Sequence, residues 1–142
     1  MTATAEPRPA RCLSAALALA ALAALAGPAA GEEDWAPGEK LTFVNCGRCH
    51  VIGERNRMGG ISSTPSFMVI RSWEGWEDKA TAFWTLNPHP AFTQIEGVTP
   101  PFAPDRPSPI HPVMLTQDEV DAIVAYMRTV EPADLGGEID VR

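Results

Sequence analysis

Three side chains that can form bonds to a cofactor lie within five consecutive residues, Cys46-Gly47-Arg48-Cys49-His50. Two cysteines separated by two residues and followed by histidine form the motif to which haem c is covalently attached. Both thiols add to vinyl groups of the porphyrin, because their spacing within one helical turn directs both sulfurs to the same porphyrin edge. The adjacent imidazole then reaches the iron as the proximal ligand. The motif predicts one haem c tethered by Cys46 and Cys49 and ligated by His50.

Other uses of a cysteine pair fit this sequence less well. A zinc site needs four ligands, usually two closely spaced pairs, whereas this chain has one cysteine pair and isolated histidines at His50, His89 and His111. A thioredoxin-like redox pair requires a strand–helix–strand context, and no such pattern is visible. A disulfide between the two cysteines would close too short a loop to restrict the unfolded chain much.

Residues 1–31 have the features of a secretory signal peptide. Arg8 and Arg11 supply positive charge, residues 13–25 are an apolar run of mainly Ala and Leu, and Ala29-Ala30-Gly31 provides small residues for cleavage. An uncleaved anchor is the alternative, but the apolar run is shorter than the roughly 20 residues that a spanning helix needs. The sequence therefore predicts a periplasmic protein that starts near residue 32, and Cys12 would be removed with the leader.

The remaining segment, residues 32–142, is long enough for one domain. The whole chain has a formal net charge of −7, and loss of the leader makes it more acidic still, because the leader carries two arginines and one glutamate. An acidic protein is a poor partner for nucleic acid or for anionic membrane surfaces. No other stretch is long and apolar enough to insert stably into a membrane, and we expect other redox proteins as partners.

Periodicity and capping signals predict three helices. The first spans residues 38–50 and includes the cysteine motif. The second spans residues 73–86, with tryptophans at helical spacing and Ser72 as its N-cap. The third follows a capping box, Thr116-Gln117-Asp118-Glu119, and continues to residue 130. No strand with alternating polarity is predicted.

A segment with eight prolines, residues 87–115, separates the second and third helices. A long loop without regular structure is uncommon in a compact domain unless it has a function. We expect this Pro-rich loop to cover the open face of the haem and to offer the distal iron ligand. The glycines of Met58-Gly59-Gly60 predict a second close approach of backbone beneath the haem.

Over residues 38–130 the chain resembles a class I monohaem c-type cytochrome of the bacterial, exported kind. The resemblance is carried by the CGRCH motif near the start of the predicted mature chain, by Gly38 eight residues before Cys46, and by a capped last helix that contains Tyr126. It implies a small all-α domain wrapped around one covalent haem c, and an electron carrier rather than an enzyme. The tail, residues 131–142, is expected to fray.

The sequence departs from the family pattern at two places. Thr42 stands where the family usually has an aromatic residue, four positions before the first cysteine, and Phe43 is next to it. His111-Pro112 occupies the register of the usual Met-Pro before the last helix, which predicts either His111 or the nearby Met114 as the distal ligand. His89, which is flanked by prolines, stays open as a further candidate, as do Met58, Met68 and an open iron site.

The favoured function is transfer of single electrons between periplasmic redox partners through one haem c. An alternative is a haem c subunit of a periplasmic dehydrogenase or oxidoreductase, which would co-purify with a larger subunit. A gas-binding or peroxidase-type protein with an open distal site is a third possibility, and it would bind CO rapidly in the ferrous state.

Overall fold

The computed structural model describes residues 35–137, and its first helix, α1 (Glu39–Cys46), leads directly into the cysteine motif. The predicted helix over residues 38–50 is therefore too long at its C-terminal end. Gly38 precedes α1 in a left-handed conformation with φ of 78°. The helix ends at Cys46 because glycine, a poor helix former, follows, and Cys49 lies in a tighter turn beyond the helix.

The prediction of one helix over residues 73–86 is wrong. The region instead contains α2 (Phe67–Arg71), α3 (Trp76–Thr81) and a 3₁₀ turn (Phe83–Thr85). Ser72 is the C-cap of α2, and the left-handed Gly75, with φ of 60°, precedes α3. The apolar run Phe67-Met68-Val69-Ile70 has no helical period, so sequence analysis missed α2, whose cap Ser66 accepts a hydrogen bond from the Val69 amide at 3.2 Å.

The Pro-rich loop contains more regular structure than predicted. A 3₁₀ turn (His89–Ala91) is followed by β1 (Thr93–Ile95), which pairs in parallel with β2 (Val113–Leu115). The all-α expectation therefore needs correction, since the domain is mostly helical with one small two-stranded sheet. Strands of three residues are too short to show alternation in the sequence. Buried Ile95 and Leu115 stand opposite each other and fix the two strands to the core.

The last helix, α4 (Gln117–Thr129), confirms the prediction from the capping box. The Thr116 hydroxyl accepts from the Glu119 amide at 3.2 Å, and the Glu119 carboxylate accepts from the Thr116 amide at 2.8 Å. One face of α4 packs against the core with five buried side chains: Val120, Ile123, Val124, Tyr126 and Met127.

Thr42 is fully buried on α1, and its hydroxyl donates to the Gly38 carbonyl at 2.7 Å. The absence of an aromatic residue there does not prevent α1 from packing on α4, because the small polar side chain satisfies its own hydrogen bond within the helix. Phe43 packs instead against Trp35, with ring centroids 5.3 Å apart.

Within residues 35–137, no helix is long and apolar enough to cross a membrane. The predicted leader, residues 1–31, and the end of the predicted tail, residues 138–142, lie outside the described residues. The described part of the tail is joined to α2 by a hydrogen bond from the Ala133 amide to the Met68 carbonyl, at 2.9 Å.

Candidate functional site

The cysteine motif forms a closed turn at the end of α1. Both the Cys49 amide and the His50 amide donate to the Cys46 carbonyl, at 3.1 and 2.9 Å. Neither Cys46 nor Cys49 is in a disulfide. Burial, reinforced by the neighbouring Cys49, raises the pKa of the Cys46 thiol to about 12. The turn therefore presents two unpaired sulfurs and one imidazole from a single short segment.

His50 is fixed by a backbone carbonyl and an aromatic ring. Its Nδ1 lies 2.7 Å from the Pro65 carbonyl oxygen, and its ring is tilted against Phe67 at a centroid distance of 5.5 Å. Burial lowers the pKa of His50, and the hydrogen bond to Pro65 opposes that shift. A neutral imidazole that donates from Nδ1 keeps the Nε2 lone pair for a metal.

Asn56 organises the loop that follows His50. Its Oδ1 accepts from the Ile52 amide at 2.8 Å and from the Gly53 amide at 3.3 Å. Its Nδ2 donates to the His50 carbonyl at 2.8 Å and to the Gly47 carbonyl at 3.3 Å. One side chain therefore connects Gly47 and His50 of the motif to the next 3₁₀ turn (Glu54–Asn56).

Gly60 allows a second segment to lie against the motif. Its φ is 72°, and a Cβ atom there would be 3.0 Å from the Val51 nitrogen and 3.1 Å from the Cys49 carbonyl oxygen. The Ile61 amide also donates to that oxygen, at 3.0 Å. A side chain at Gly60 would be strained at this φ and crowded by the motif backbone, so the glycine does allow a close backbone approach there. That this loop lies beneath the haem stays a prediction.

A cavity of about 330 Å³ opens between the motif and the Pro-rich loop. Arg48 and Cys49 line one side, while Phe92, His111 and Met114 are contributed by the loop. The structure thus brings both predicted distal candidates to the cavity that Cys49 borders. Both residues are exposed, however, and Met114 is 60% exposed.

His89 lies nearer to the His50 ring than its sequence position suggested. The two imidazole centroids are 6.1 Å apart, and the ring planes are within 5° of parallel. Nδ1 of His89 lies 3.0 Å from the Leu86 carbonyl oxygen. Burial lowers the pKa of His89, and this hydrogen bond partly opposes the shift.

Sequence reasoning missed several groups that orient the site. The carbonyls of Pro65 and Leu86 act through the backbone, so residue type gives no signal for them. Asn56 is a short polar residue three positions after a glycine, which is compatible with a capping role but not specific for one. The proximity of His50 and His89 had no sequence signal, because it depends on the path of the Pro-rich loop.

The arginines near the motif differ in their surroundings. Arg48 and Arg57 are exposed. Arg55 pairs with Glu39 at 3.1 Å, and its guanidinium lies 4.4 Å from the ring centroid of Trp35.

In the part of the chain that the structure describes, no three His, Cys, Asp or Glu side chains cluster as ligands for a metal ion.

Comparison with known proteins identifies the family. The cytochrome c family profile matches residues 35–131, which is most of the chain and includes the cysteine motif, the Pro-rich loop and α4. No curated protein and no solved structure matches the chain. The extent of the family match, together with two unpaired cysteines and a histidine in one turn, shows that this chain belongs to the cytochrome c family.

Proposed function

We propose that the protein is an exported monohaem cytochrome of class I that carries single electrons between periplasmic redox proteins. Cys46 and Cys49 would form the two thioether bonds to haem c, and His50 would be the proximal iron ligand. The observation that carries the proposal is the His50 imidazole, whose Nδ1 is held 2.7 Å from the Pro65 carbonyl at the end of the cysteine turn.

The residues present fit a covalent haem. Cytochrome c family membership implies haem c, and the turn supplies two thiols that are not in a disulfide and an imidazole whose Nδ1 is held by a backbone carbonyl. Gly60 keeps the adjacent backbone close to the motif, while the cavity beside Cys49 gives the thiol access to open space. When bound, haem supplies the one-electron ferric–ferrous couple. The surrounding protein sets its potential and its access to solvent and partners.

Export is supported by the sequence of residues 1–31, which has the charge, apolar run and cleavage residues of a leader. Haem c attachment outside the cytoplasmic membrane is consistent with that location. Cell fractionation followed by mass determination of the periplasmic protein tests this part. A mature N-terminus near residue 32 supports it, whereas a full-length chain retained with the membrane fraction would contradict it.

The covalent attachment is tested by comparing the wild type with two variants of the full-length gene, expressed together with haem c maturation proteins. Haem staining after denaturing electrophoresis should persist in the wild type and disappear in the double variant Cys46→Ser/Cys49→Ser. Cys12→Ser is the matched control, because it removes a cysteine of the predicted leader and should leave the stain unchanged. Absence of the stain from the wild type would end the proposal.

Electron carriage is tested on the same holoprotein by a spectroscopic redox titration and by exposure to CO. A carrier should titrate reversibly as a single one-electron couple and should bind CO slowly, because both axial positions are filled. Rapid CO binding by the ferrous protein would favour the gas-binding or peroxidase-type alternative.

A second candidate, a haem subunit of a periplasmic dehydrogenase or oxidoreductase, is favoured by exposed apolar side chains outside the cavity. Met58 and Ile61, on either side of the two glycines beside the motif, are 90% and 52% exposed. Apolar side chains at such a position are typical of a surface that a partner protein covers. Purification from the native host would discriminate the two, since a subunit elutes with a larger protein in constant ratio.

A further inference from the structure

We infer that His89 is the distal ligand of the haem iron, opposite His50, so that the site is a bis-histidine centre. The inference rests on the proposed haem attachment and departs from the two residues that the sequence register favoured, His111 and Met114. Its basis is the parallel arrangement of the His50 and His89 rings, with centroids 6.1 Å apart.

The separation of the two rings matches the requirement of a shared metal atom. A metal–imidazole nitrogen bond is about 2.0–2.1 Å, as in zinc sites, and the ring centre lies roughly 1 Å beyond the nitrogen, so two rings on one metal have centres roughly 6 Å apart. The observed distance is 6.1 Å. Offset stacking of two rings covers the same range, so the distance satisfies the requirement of shared ligation without being unique to it. The hydrogen bonds at Nδ1 leave Nε2 of both rings available for a metal.

Both imidazoles are oriented in the same way by a backbone carbonyl. Nδ1 of His50 donates to the Pro65 carbonyl at 2.7 Å, and Nδ1 of His89 donates to the Leu86 carbonyl at 3.0 Å. Histidines that bind metals typically donate their other ring N–H to a carbonyl or carboxylate, which fixes the tautomer and leaves the second nitrogen unprotonated. Among residues 35–137, no hydrogen bond occupies Nε2 of either ring.

Aromatic side chains hold the His89 ring in place. Phe83 contacts it edge-on at a centroid distance of 5.1 Å, and Phe92 contacts it at 5.7 Å. His89 also begins a 3₁₀ turn and lies between Pro88 and Pro90, whose rings restrict the backbone. An imidazole packed between two phenyl rings loses little further freedom when it binds iron, so ligation has a low entropic cost.

His111 and Met114 lack the contacts that orient His89. Within the described residues, no hydrogen bond orients the His111 ring as carbonyls orient those of His50 and His89. Met114 belongs to β2, where its backbone pairs with Gln94. Each lines the cavity beside Cys49, but neither is positioned by partners in the way that His89 is.

A second imidazole in place of a thioether has a functional consequence. Thioether ligation favours ferrous iron and raises the reduction potential, whereas bis-imidazole ligation lowers it. The protein would therefore act with low-potential donors and acceptors. It would also be six-coordinate and low-spin in both oxidation states, which leaves no open position for exogenous ligands.

The test uses the full-length holoprotein and three single variants, His89→Ala, His89→Met and His111→Ala. Covalent haem is first quantified by the pyridine haemochrome, which does not depend on the distal ligand. Ferric spectra are then recorded by near-infrared magnetic circular dichroism and electron paramagnetic resonance. The wild type should show a bis-imidazole low-spin signature, and His111→Ala should retain it.

His89→Ala should become high-spin, and added imidazole should restore the low-spin spectrum. His89→Met should show a sulfur-to-iron charge-transfer band and a higher reduction potential, which gives a positive readout even if His89→Ala folds poorly. A sulfur-to-iron band in the wild type would overturn the inference, and so would a bis-imidazole signal that survives in His89→Ala and is lost in His111→Ala. Failure of the wild type to attach haem would overturn the proposed function itself.

Discussion

Gly38 and Ala122 form a close approach between α1 and α4: a Cβ atom on Gly38 would lie 2.3 Å from the Ala122 carbonyl oxygen. The same atom would be 3.1 Å from Cβ of Tyr126. The backbone of Gly38 is therefore in direct contact with α4, and its φ of 78° is a conformation that other residues rarely adopt.

The substitution Gly38→Ala should destabilise the holoprotein by about 2–5 kcal/mol, because overpacking against α4 adds to the conformational penalty. The measurement is urea unfolding followed by circular dichroism. Gly75→Ala is the matched control, since Gly75 has φ of 60° and no atom lies within 4 Å of the position that a Cβ atom would take there. The control should lose only about 1–2 kcal/mol. Equal losses in both variants would show that the contact with Ala122 does not matter.

Asn56→Asp should weaken the loop that follows the cysteine motif. The change removes the Nδ2 donor to the carbonyls of His50 and Gly47 and places a carboxylate oxygen beside them. Leaving such groups unsatisfied costs about 1–3 kcal/mol each when buried, so we expect a loss of about 2–4 kcal/mol on urea unfolding. Gln94→Glu makes the same chemical change at an exposed amide that donates to the Pro100 carbonyl at 2.7 Å. A loss in Gln94→Glu as large as in Asn56→Asp would contradict the proposed role of Asn56.

Thr116→Ala should shorten or fray the start of α4. The variant loses the hydroxyl that accepts from the Glu119 amide at 3.2 Å, and N-cap threonines are worth about 1 kcal/mol. Thermal unfolding of the holoprotein measures the effect. Thr85→Ala, at an exposed position in a 3₁₀ turn, should change stability by less than about 0.5 kcal/mol. An unchanged melting temperature in Thr116→Ala would mean that the capping box adds nothing to stability.

Arg48→Glu should change the rates of electron transfer to an anionic and to a cationic oxidant in opposite directions. Arg48 is exposed and lines the cavity beside Cys49, so its charge acts close to the proposed haem edge. Stopped-flow oxidation by ferricyanide should slow at low ionic strength, while oxidation by the cation cobalt tris(phenanthroline) should accelerate. Both effects should diminish in high salt, because the Debye length shortens.

Lys79→Glu on α3 carries the same change in net charge and is the control for Arg48→Glu. Its effect on the two rates should be smaller, because Arg48 borders the cavity and Lys79 does not. If both variants shift the rates equally, net charge alone accounts for the effect and Arg48 has no local role.

The helices differ in how well their boundaries can be predicted from the sequence. Helix α4 was predictable because its capping box and its apolar stripe both act within a few residues. The tryptophan pattern at residues 73–86 predicted one helix, but Gly75 adopts a left-handed conformation and divides the region. Apolar spacing alone does not reveal such a break, and only the glycine itself signals it in the sequence.

The sequence alone indicates the cytochrome c family. It also predicts that Cys46 and Cys49 attach the haem and that His50 is the first imidazole ligand. These follow from residue type and spacing within one turn, where chemistry needs no information about distant segments. Only the tertiary structure decided that His89, rather than His111 or Met114, lies with its ring parallel to His50. That relationship depends on β1 pairing with β2 and on Phe83 and Phe92 packing around His89. Contacts of this kind between distant parts of the chain leave no periodic pattern in the sequence.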